Sequence, residues 1–435
     1  MKIAIVNQPL GYIYLPWTGK GGSLEIWTYE MARRLALSCK VIVYSKRGFH
    51  QKKDEYDKGV HYRRINTIFD EWVNLIKYVV RKIENLFGLN DLERILFFRN
   101  IKRPLFSSTL YYLMYSFQIA RDLRKEKCDI VHIINFSQFV PIIRAFNPKI
   151  KIALRMSCEW LTQLDHNMIK KRLKEVNLII GCSEYITNKI RYNFPEFSTH
   201  MYTVYSGVDI NTFSIKKHNG EPNKNKVKKI LFVGRVSPEK GLHILLEAFN
   251  IIVKSYPLTH LEIIGTITQL SFEFIIPFGD DDKISKLSLF YNKNSKTAYF
   301  NYLMEMIKKL NISTKVKFTG FIPHQKLYKN YLEADILVNP SFSESFGMTL
   351  IEAMSSQIPV VATRVGGMTE IVKDGKTGIL VESGDSLGLA NEIMQLISNE
   401  DIRKLMGRAA YKRVIEFFTW EKSAEKLLRL YRNVC

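Results

Sequence analysis

Cysteine is scarce in this chain. Cys39, Cys128, Cys158, Cys182 and Cys435 stand singly among 435 residues, and no Cys-x-x-Cys pair occurs. That scatter excludes a disulfide framework and a thiolate zinc cluster, and it suits a reducing compartment. Long apolar runs are missing too. A helix needs ~20 mostly apolar residues to cross a bilayer, and the best candidate, Leu110-Tyr-Tyr-Leu-Met-Tyr-Ser-Phe-Gln-Ile-Ala120, falls well short. The opening Lys2-Ile-Ala-Ile-Val-Asn7 is too short for an export signal and runs directly into a glycine-rich turn, so it reads as a first strand. There is no internal repeat and no low-complexity tract. These absences predict a cytoplasmic protein, either soluble or peripheral at the inner face of the cell membrane.

Acidic residues are also in the minority. Lys and Arg number 64 against 42 Asp and Glu, for a net charge of +22. The first 205 residues hold 33 of those bases but only 18 of the acids. Within 77–127, Lys77, Arg81, Lys82, Arg94, Arg99, Lys102 and Arg103 interleave with Leu86, Phe87, Leu96, Phe97, Phe98 and Phe106, and Trp72 precedes them. Basic and aromatic residues mixed in this way suit an anionic membrane surface. The bland reading is an ordinary solvated face over core aromatics. Nucleic acid is not expected as a partner, because no helix-turn-helix, zinc-finger or RRM-type pattern accompanies the charge.

What the chain does have is apolar content: 46% hydrophobic and 12% aromatic residues, in a length that suggests two cores. Short apolar strands at Lys2–Asn7, Val41–Ser45, Ile130–Ile134, Ile150–Leu154 and Leu178–Gly181 alternate with helical patterns such as Glu25–Leu37 and Ser116–Glu126. Residues 206–228, ending in the polar run His218-Asn-Gly-Glu-Pro-Asn-Lys-Asn-Lys226, read as a linker. The alternation then resumes with strand Lys229–Gly234, helix Leu242–Lys254 and strands near 261–265, 316–320, 335–338 and 360–363. The predicted fold class is α/β, two doubly wound Rossmann-like domains at 1–205 and 229–415 with a tail at 416–435, and sites at the carboxyl ends of the strands.

Residues 339–352, Asn-Pro-Ser-Phe-Ser-Glu-Ser-Phe-Gly-Met-Thr-Leu-Ile-Glu, carry the strongest functional signal. A strand precedes them and a helix follows, so the backbone N–H groups of Gly347, Met348 and Thr349 open the helix and favour an anion. Glu344 lies in the turn and Glu352 in the helix, about 7–8 Å along the axis from Gly347 at the usual rise. Amides for a diphosphate and two carboxylates for hydroxyls suggest a nucleotide-sugar. Arg235, just past a strand, and Lys240, five residues on at the start of the next helix, add cations at the same sheet edge. Fixed cations there stabilise charge on a departing diphosphate, the work Mg²⁺ does elsewhere.

In these segments the chain resembles the retaining GT-B glycosyltransferases of family 4, whose C-terminal domain carries two Glu separated by seven residues, as Glu344 and Glu352 are. The likeness extends through Phe232-Val-Gly-Arg-Val-Ser-Pro-Glu-Lys-Gly241, Pro359-Val-Val-Ala-Thr-Arg-Val-Gly-Gly-Met-Thr-Glu370 and Asp374-Gly-Lys-Thr-Gly378. It is close after residue 176 and looser before. The resemblance implies two domains facing across a cleft, with a C-terminal helix crossing back to the first. It implies that Glu344 contacts donor-sugar hydroxyls, Glu352 the ribose, and Arg235 and Lys240 the pyrophosphate. It further implies retention of configuration, no metal and no cofactor beyond the nucleoside-diphosphate sugar, with the leaving phosphate taking the acceptor proton.

The first half is less specific. Gly21 and Gly22, in Gly19-Lys-Gly-Gly22, would in such a family cover the diphosphate or orient the acceptor. Where the family often places two His at a strand end, this chain has His132 and Ile134, so His132 reads as a core histidine, and Asn135 or Ser137 is left to meet the donor sugar. Ser206 stands where Asn is usual. Arg155, Glu159 and Asp165 are candidates to touch the acceptor. Asp280-Asp-Asp282 in the 266–300 insertion superficially supplies a cation site but reads as a solvated loop tip. The expectation is transfer of a sugar from a nucleoside-diphosphate donor, a UDP-sugar, to a hydroxyl of a cell-envelope glycan or lipid-linked saccharide. The alternatives are a soluble acceptor such as an aminocyclitol, or a non-catalytic scaffold.

Overall fold

The computed structural model describes residues 1–15, 17–19, 21–72, 76, 104–213, 227–268, 282–291 and 297–435. The basic residues of 77–103, most of the linker, Asp280 and Asp281 lie outside them. The chain divides into two units, one of Met1–Tyr205 with Ser423–Cys435 and one of Ser206–Lys422.

The first unit is built on β1 (Lys2–Val6), β2 (Lys40–Lys46), β3 (Asp54–Asp57), β4 (Val60–Ile65), β5 (Ile130–Ile134), β6 (Lys151–Met156), β7 (Leu178–Gly181) and β8 (Met201–Thr203). They form one sheet in the order β3-β4-β2-β1-β5-β6-β7-β8. All pairings are parallel except the β3–β4 hairpin. All five residues of β5 are buried, as a strand covered on both faces requires. The hairpin escapes sequence reading because β3 is polar Asp-Glu-Tyr-Asp at the sheet edge, where charge guards against edge pairing. It turns at Lys58 and Gly59, both at positive φ (47° and 78°), a primed turn matched to strand twist.

The second unit contains β9 (Lys228–Val233), β10 (Thr259–Ile264), β11 (Val316–Gly320), β12 (Ile336–Asn339), β13 (Val360–Thr363) and β14 (Ile379–Val381). These are parallel throughout, in the order β11-β10-β9-β12-β13-β14. Helices Leu242–Ser255 and Ser386–Ser398 bury Leu245, Leu246, Phe249, Leu389, Ile393 and Leu396 against the sheet's Ile230, Phe232, Ile263 and Val338. Chain order reverses between β9 and β12, which pair through Ile336 with Ile230 and Leu337 with Leu231. A crevice at the carboxyl ends of those two strands is where an open α/β sheet binds ligands. The loops after β9 and β12 hold Arg235, Lys240, Glu344 and Gly347.

Candidate active site

The loop after β12 is organised from its first residue. Asn339 Oδ1 accepts the Ser341 hydroxyl at 2.6 Å, and the Phe342 N–H donates to the Glu239 carbonyl at 2.8 Å, tying this loop to the one after β9. Gly347 closes the turn at φ 107° and caps helix Met348–Ser355. The first N–H inside the helix to reach back is that of Leu350, to the Gly347 carbonyl at 3.0 Å. The amides of Met348 and Thr349 therefore lie ahead of the hydrogen-bond ladder, where an anion is favoured.

The loop after β9 supplies the cations. Lys240 belongs to a short 3-10 turn, Pro238–Lys240, rather than to the following helix, which begins at Leu242. Gly241 between them sits at φ 69°, and a Cβ there would lie 2.0 Å from the Pro340 carbonyl oxygen, so only glycine lets the two loops touch. That approach places Lys240 Nζ 2.7 Å from Glu344 Oε2. Arg235 donates to Glu239 Oε1 at 3.3 Å, and Glu239 also accepts the Ser237 hydroxyl at 2.6 Å. Burial by itself raises the Glu344 carboxyl. Lys240, the Phe346 N–H and the field of Arg235 outweigh it, so the group is held below its ordinary range. Arg235, Lys240 and Glu344 are thus one electrostatic cluster.

Glu352 lies almost fully buried within helix Met348–Ser355. Its Oε1 is 2.8 Å from His324 Nε2, and its Oε2 accepts the Tyr331 hydroxyl at 2.7 Å. His324 opens the turn His324–Lys326 after β11, and Tyr331 belongs to helix Tyr328–Glu333. Neither residue stands out in the sequence. Tyr331 reads as one more core aromatic, and a histidine after a proline carries no spacing signal.

In the first unit the predicted residues are mostly occupied. Gly22 caps helix Ser23–Leu35, and its N–H already donates to Glu25 Oε2 at 2.8 Å. Burial pushes the Glu25 carboxyl up against the pull of that amide and of Asn7. A Cβ on Gly21 would lie 2.8 Å from the Glu25 Cβ. His132 is fully buried inside β5, its Nδ1 lies 2.6 Å from the Tyr431 hydroxyl, and its ring stacks on Trp27. Burial, then the charge of Arg155, keep it well below its usual pKa and so neutral. Asn135 adopts φ 60° and accepts the Ser157 N–H at 2.7 Å, while Ser137 accepts from Arg172 at 3.2 Å.

Arg155 is not an acceptor contact. Strand β6 runs past residue 154 to Met156, so Arg155 is 1% exposed, donates to the Val204 carbonyl at 2.8 Å and lies over the Trp27 ring. Glu159 is held by the Tyr185 hydroxyl and by Lys189, and Asp165 caps helix His166–Leu173. These are structural tasks that a loop reading of the same residues does not reveal.

The profile of the glycosyl transferases group 1 family matches residues 214–413, the stretch that holds Arg235, Lys240, Glu344 and Glu352. That stretch, the core of the second unit, is what the chain shares with the family. A putative glycosyltransferase, YtcC of Bacillus subtilis, is 27% identical over 73% of this chain and 75% of its own length. A D-inositol 3-phosphate glycosyltransferase of Corynebacterium aurimucosum is 25% identical over 100% of this chain and 96% of its own. Among solved structures, Anabaena Alr3699/HepE in complex with UDP-glucose superposes with a TM-score of 0.67 at 17% identity, covering 100% of both chains. Sucrose-phosphate synthase from Thermosynechococcus elongatus gives 0.66 at 18%, covering 99% of this chain and 98% of its own. At such identities these structures speak for the fold, which is GT-B. In the second unit the cations, Glu344 and the turn into helix Met348–Ser355 gather at the switch point, while Glu352 is held by His324 and Tyr331, the residues the sequence missed.

Proposed function

We propose that this glycosyltransferase moves a sugar, with retention of configuration, from a nucleoside diphosphate, UDP, to a hydroxyl of a cell-envelope glycan or lipid-linked saccharide. The observation that carries the reading is the Lys240–Glu344 pair, 2.7 Å apart beside the open amides of Met348 and Thr349. A cation and amides suit the diphosphate, and the adjoining carboxylate suits the sugar hydroxyls. As the C1–O bond to the diphosphate breaks, negative charge builds on the β-phosphate oxygen. Lys240, Arg235 and the helix start offset that charge most in the transition state, which turns binding into rate. The new C1–O bond forms on the same face, and the acceptor proton passes to the leaving phosphate. Cations fixed in this way supply the charge that a metal supplies elsewhere.

The envelope acceptor draws support from the first unit. Ile68, Phe69, Trp72, Leu110 and Met114 are exposed, and Asp70 joins the two segments by accepting the Met114 and Tyr115 amides at 2.9 Å. They border the basic stretch 77–103 on both sides. Among the described residues no helix is long and apolar enough to cross a membrane, so contact would be peripheral. A second reading, a soluble acceptor, is favoured by relatives named D-inositol 3-phosphate glycosyltransferase and N-acetyl-alpha-D-glucosaminyl L-malate synthase.

Donor hydrolysis without acceptor, run over a panel of UDP- and GDP-sugars, tests the common core of both readings. One UDP-sugar is expected to turn over, with EDTA leaving the rate nearly intact and Lys240→Ala lowering kcat by about 10²-fold, the scale of one lost charge-stabilising donor. Collapse with EDTA and recovery with Mn²⁺ would refute the metal-free scheme. Full activity in Lys240→Ala would refute the site.

A further inference from the structure

Both oxygens of the Glu352 carboxylate are engaged by the protein itself. His324 Nε2 lies 2.8 Å from Oε1, and the Tyr331 hydroxyl lies 2.7 Å from Oε2. An ionised carboxylate only accepts, so His324 meets it through an Nε2–H and Tyr331 through its O–H. Tyr331 is fully buried, and burial followed by the charge of Glu352 keeps the phenol protonated, so it is a permanent donor. The Phe213 ring packs against both partners, 5.3 Å from the His324 ring and 5.7 Å from the Tyr331 ring, and restricts their movement.

This bracing matters because the last torsion of a glutamate is soft and roughly two-fold. An unbraced carboxylate would sweep through many orientations. A carboxylate has about four acceptor positions. With one per oxygen taken by the protein, one per oxygen remains, side by side, and two adjacent hydroxyls match that pattern. A ribose carries such a pair and a 2′-deoxyribose does not.

We propose that His324 and Tyr331 are positioning residues that fix Glu352 as a two-point acceptor for a vicinal diol, making this site select ribonucleoside over 2′-deoxyribonucleoside diphosphates. The inference rests on the assignment of Glu352 to the donor's ribose. Loss of a hydrogen bond to a charged group is costly because the carboxylate is left partly unpaired. Discrimination by a missing hydroxyl is large only where the site's own polar group is held in place.

The test is calorimetric binding of UDP and 2′-deoxy-UDP to the full chain, with thermal melting of each variant alongside. The wild type is expected to prefer UDP by about tenfold or more, the scale of one hydrogen bond to a charged group. Tyr331→Phe and His324→Ala are expected to bring that preference close to one, mainly by weakening UDP, and His324→Gln, which keeps an N–H donor, to restore part of it. A purely structural role would lower melting temperature and leave the ratio alone. If Tyr331→Phe and His324→Ala retain the wild-type ratio while Glu352→Gln abolishes it, the positioning role is wrong and the ribose assignment stands. If the wild type does not distinguish the two nucleotides, or Glu352→Gln keeps the preference, the ribose assignment falls and this inference with it. His324 is partly exposed, so its variants carry the test even if Tyr331→Phe folds poorly.

Discussion

Glu344 shows how one side chain reports its surroundings. Its carboxyl is largely shielded, which disfavours the charge, yet Lys240, the Phe346 amide and Arg235 hold it below the ordinary value of 4.5. A group whose folded pKa is depressed adds stability above its unfolded pKa and loses it as pH falls through the lower folded value. The Lys240–Glu344 pair should therefore stabilise the second unit at neutral pH and keep doing so down to the carboxylate range. Glu344→Gln is expected to melt lower than wild type near neutrality, with the gap closing as pH falls below about 4.5, where unfolded carboxylates are protonated. Melting curves across that range decide it. A gap that persists unchanged into strong acid would mean that the pair is not what sets the Glu344 charge.

Among the elements, the 3-10 turn Pro238–Lys240 and its glycine are as important as the helix start opposite. Gly241 combines φ 69° with a Cβ position 2.0 Å from the Pro340 carbonyl, whereas Gly320, at φ 77°, has open space around it. The left-handed conformation costs a non-glycine residue about 1–2 kcal/mol wherever it occurs. Gly320→Ala should thus lose only that amount, while Gly241→Ala must also push two loops apart. Gly241→Ala is expected to lower melting temperature further than Gly320→Ala and to weaken UDP binding, because Lys240 moves with the turn. Equal melting losses, or unchanged UDP affinity in Gly241→Ala, would show that the contact with Pro340 does not set the site.

At the level of the whole molecule, the net charge of +22 and its concentration in the first 205 residues bear on where the acceptor is met. Each Lys or Arg close to an anionic leaflet contributes about 1 kcal/mol, fading within a Debye length of roughly 8 Å at physiological salt. The protein is expected to bind vesicles containing anionic lipid and to ignore neutral ones. Replacing Arg99, Lys102 and Arg103 together should weaken that binding by up to about 3 kcal/mol with donor hydrolysis unchanged, and added salt should release the wild type. Equal partitioning to both vesicle types, or to neither, would favour the soluble acceptor.

The sequence by itself determined the strand-and-helix alternation, the parallel sheets that follow from it, and the segments holding Arg235, Lys240, Glu344 and Glu352. Each depends on near neighbours in the chain: apolar runs, a glycine at a turn, a helix start after a strand. Only the tertiary structure decided what each polar group is paired with. Nothing local says that Lys240 meets Glu344 across the β9–β12 switch point or that His324 and Tyr331 brace Glu352. Arg155 makes the same point in reverse. It reads as a loop cation, yet two further residues of strand carry it into the core onto Trp27. These hydrogen bonds and ion pairs join residues 21, 28 and 104 positions apart that folding brings together, so periodicity can place an element but cannot name the partner of a side chain on it.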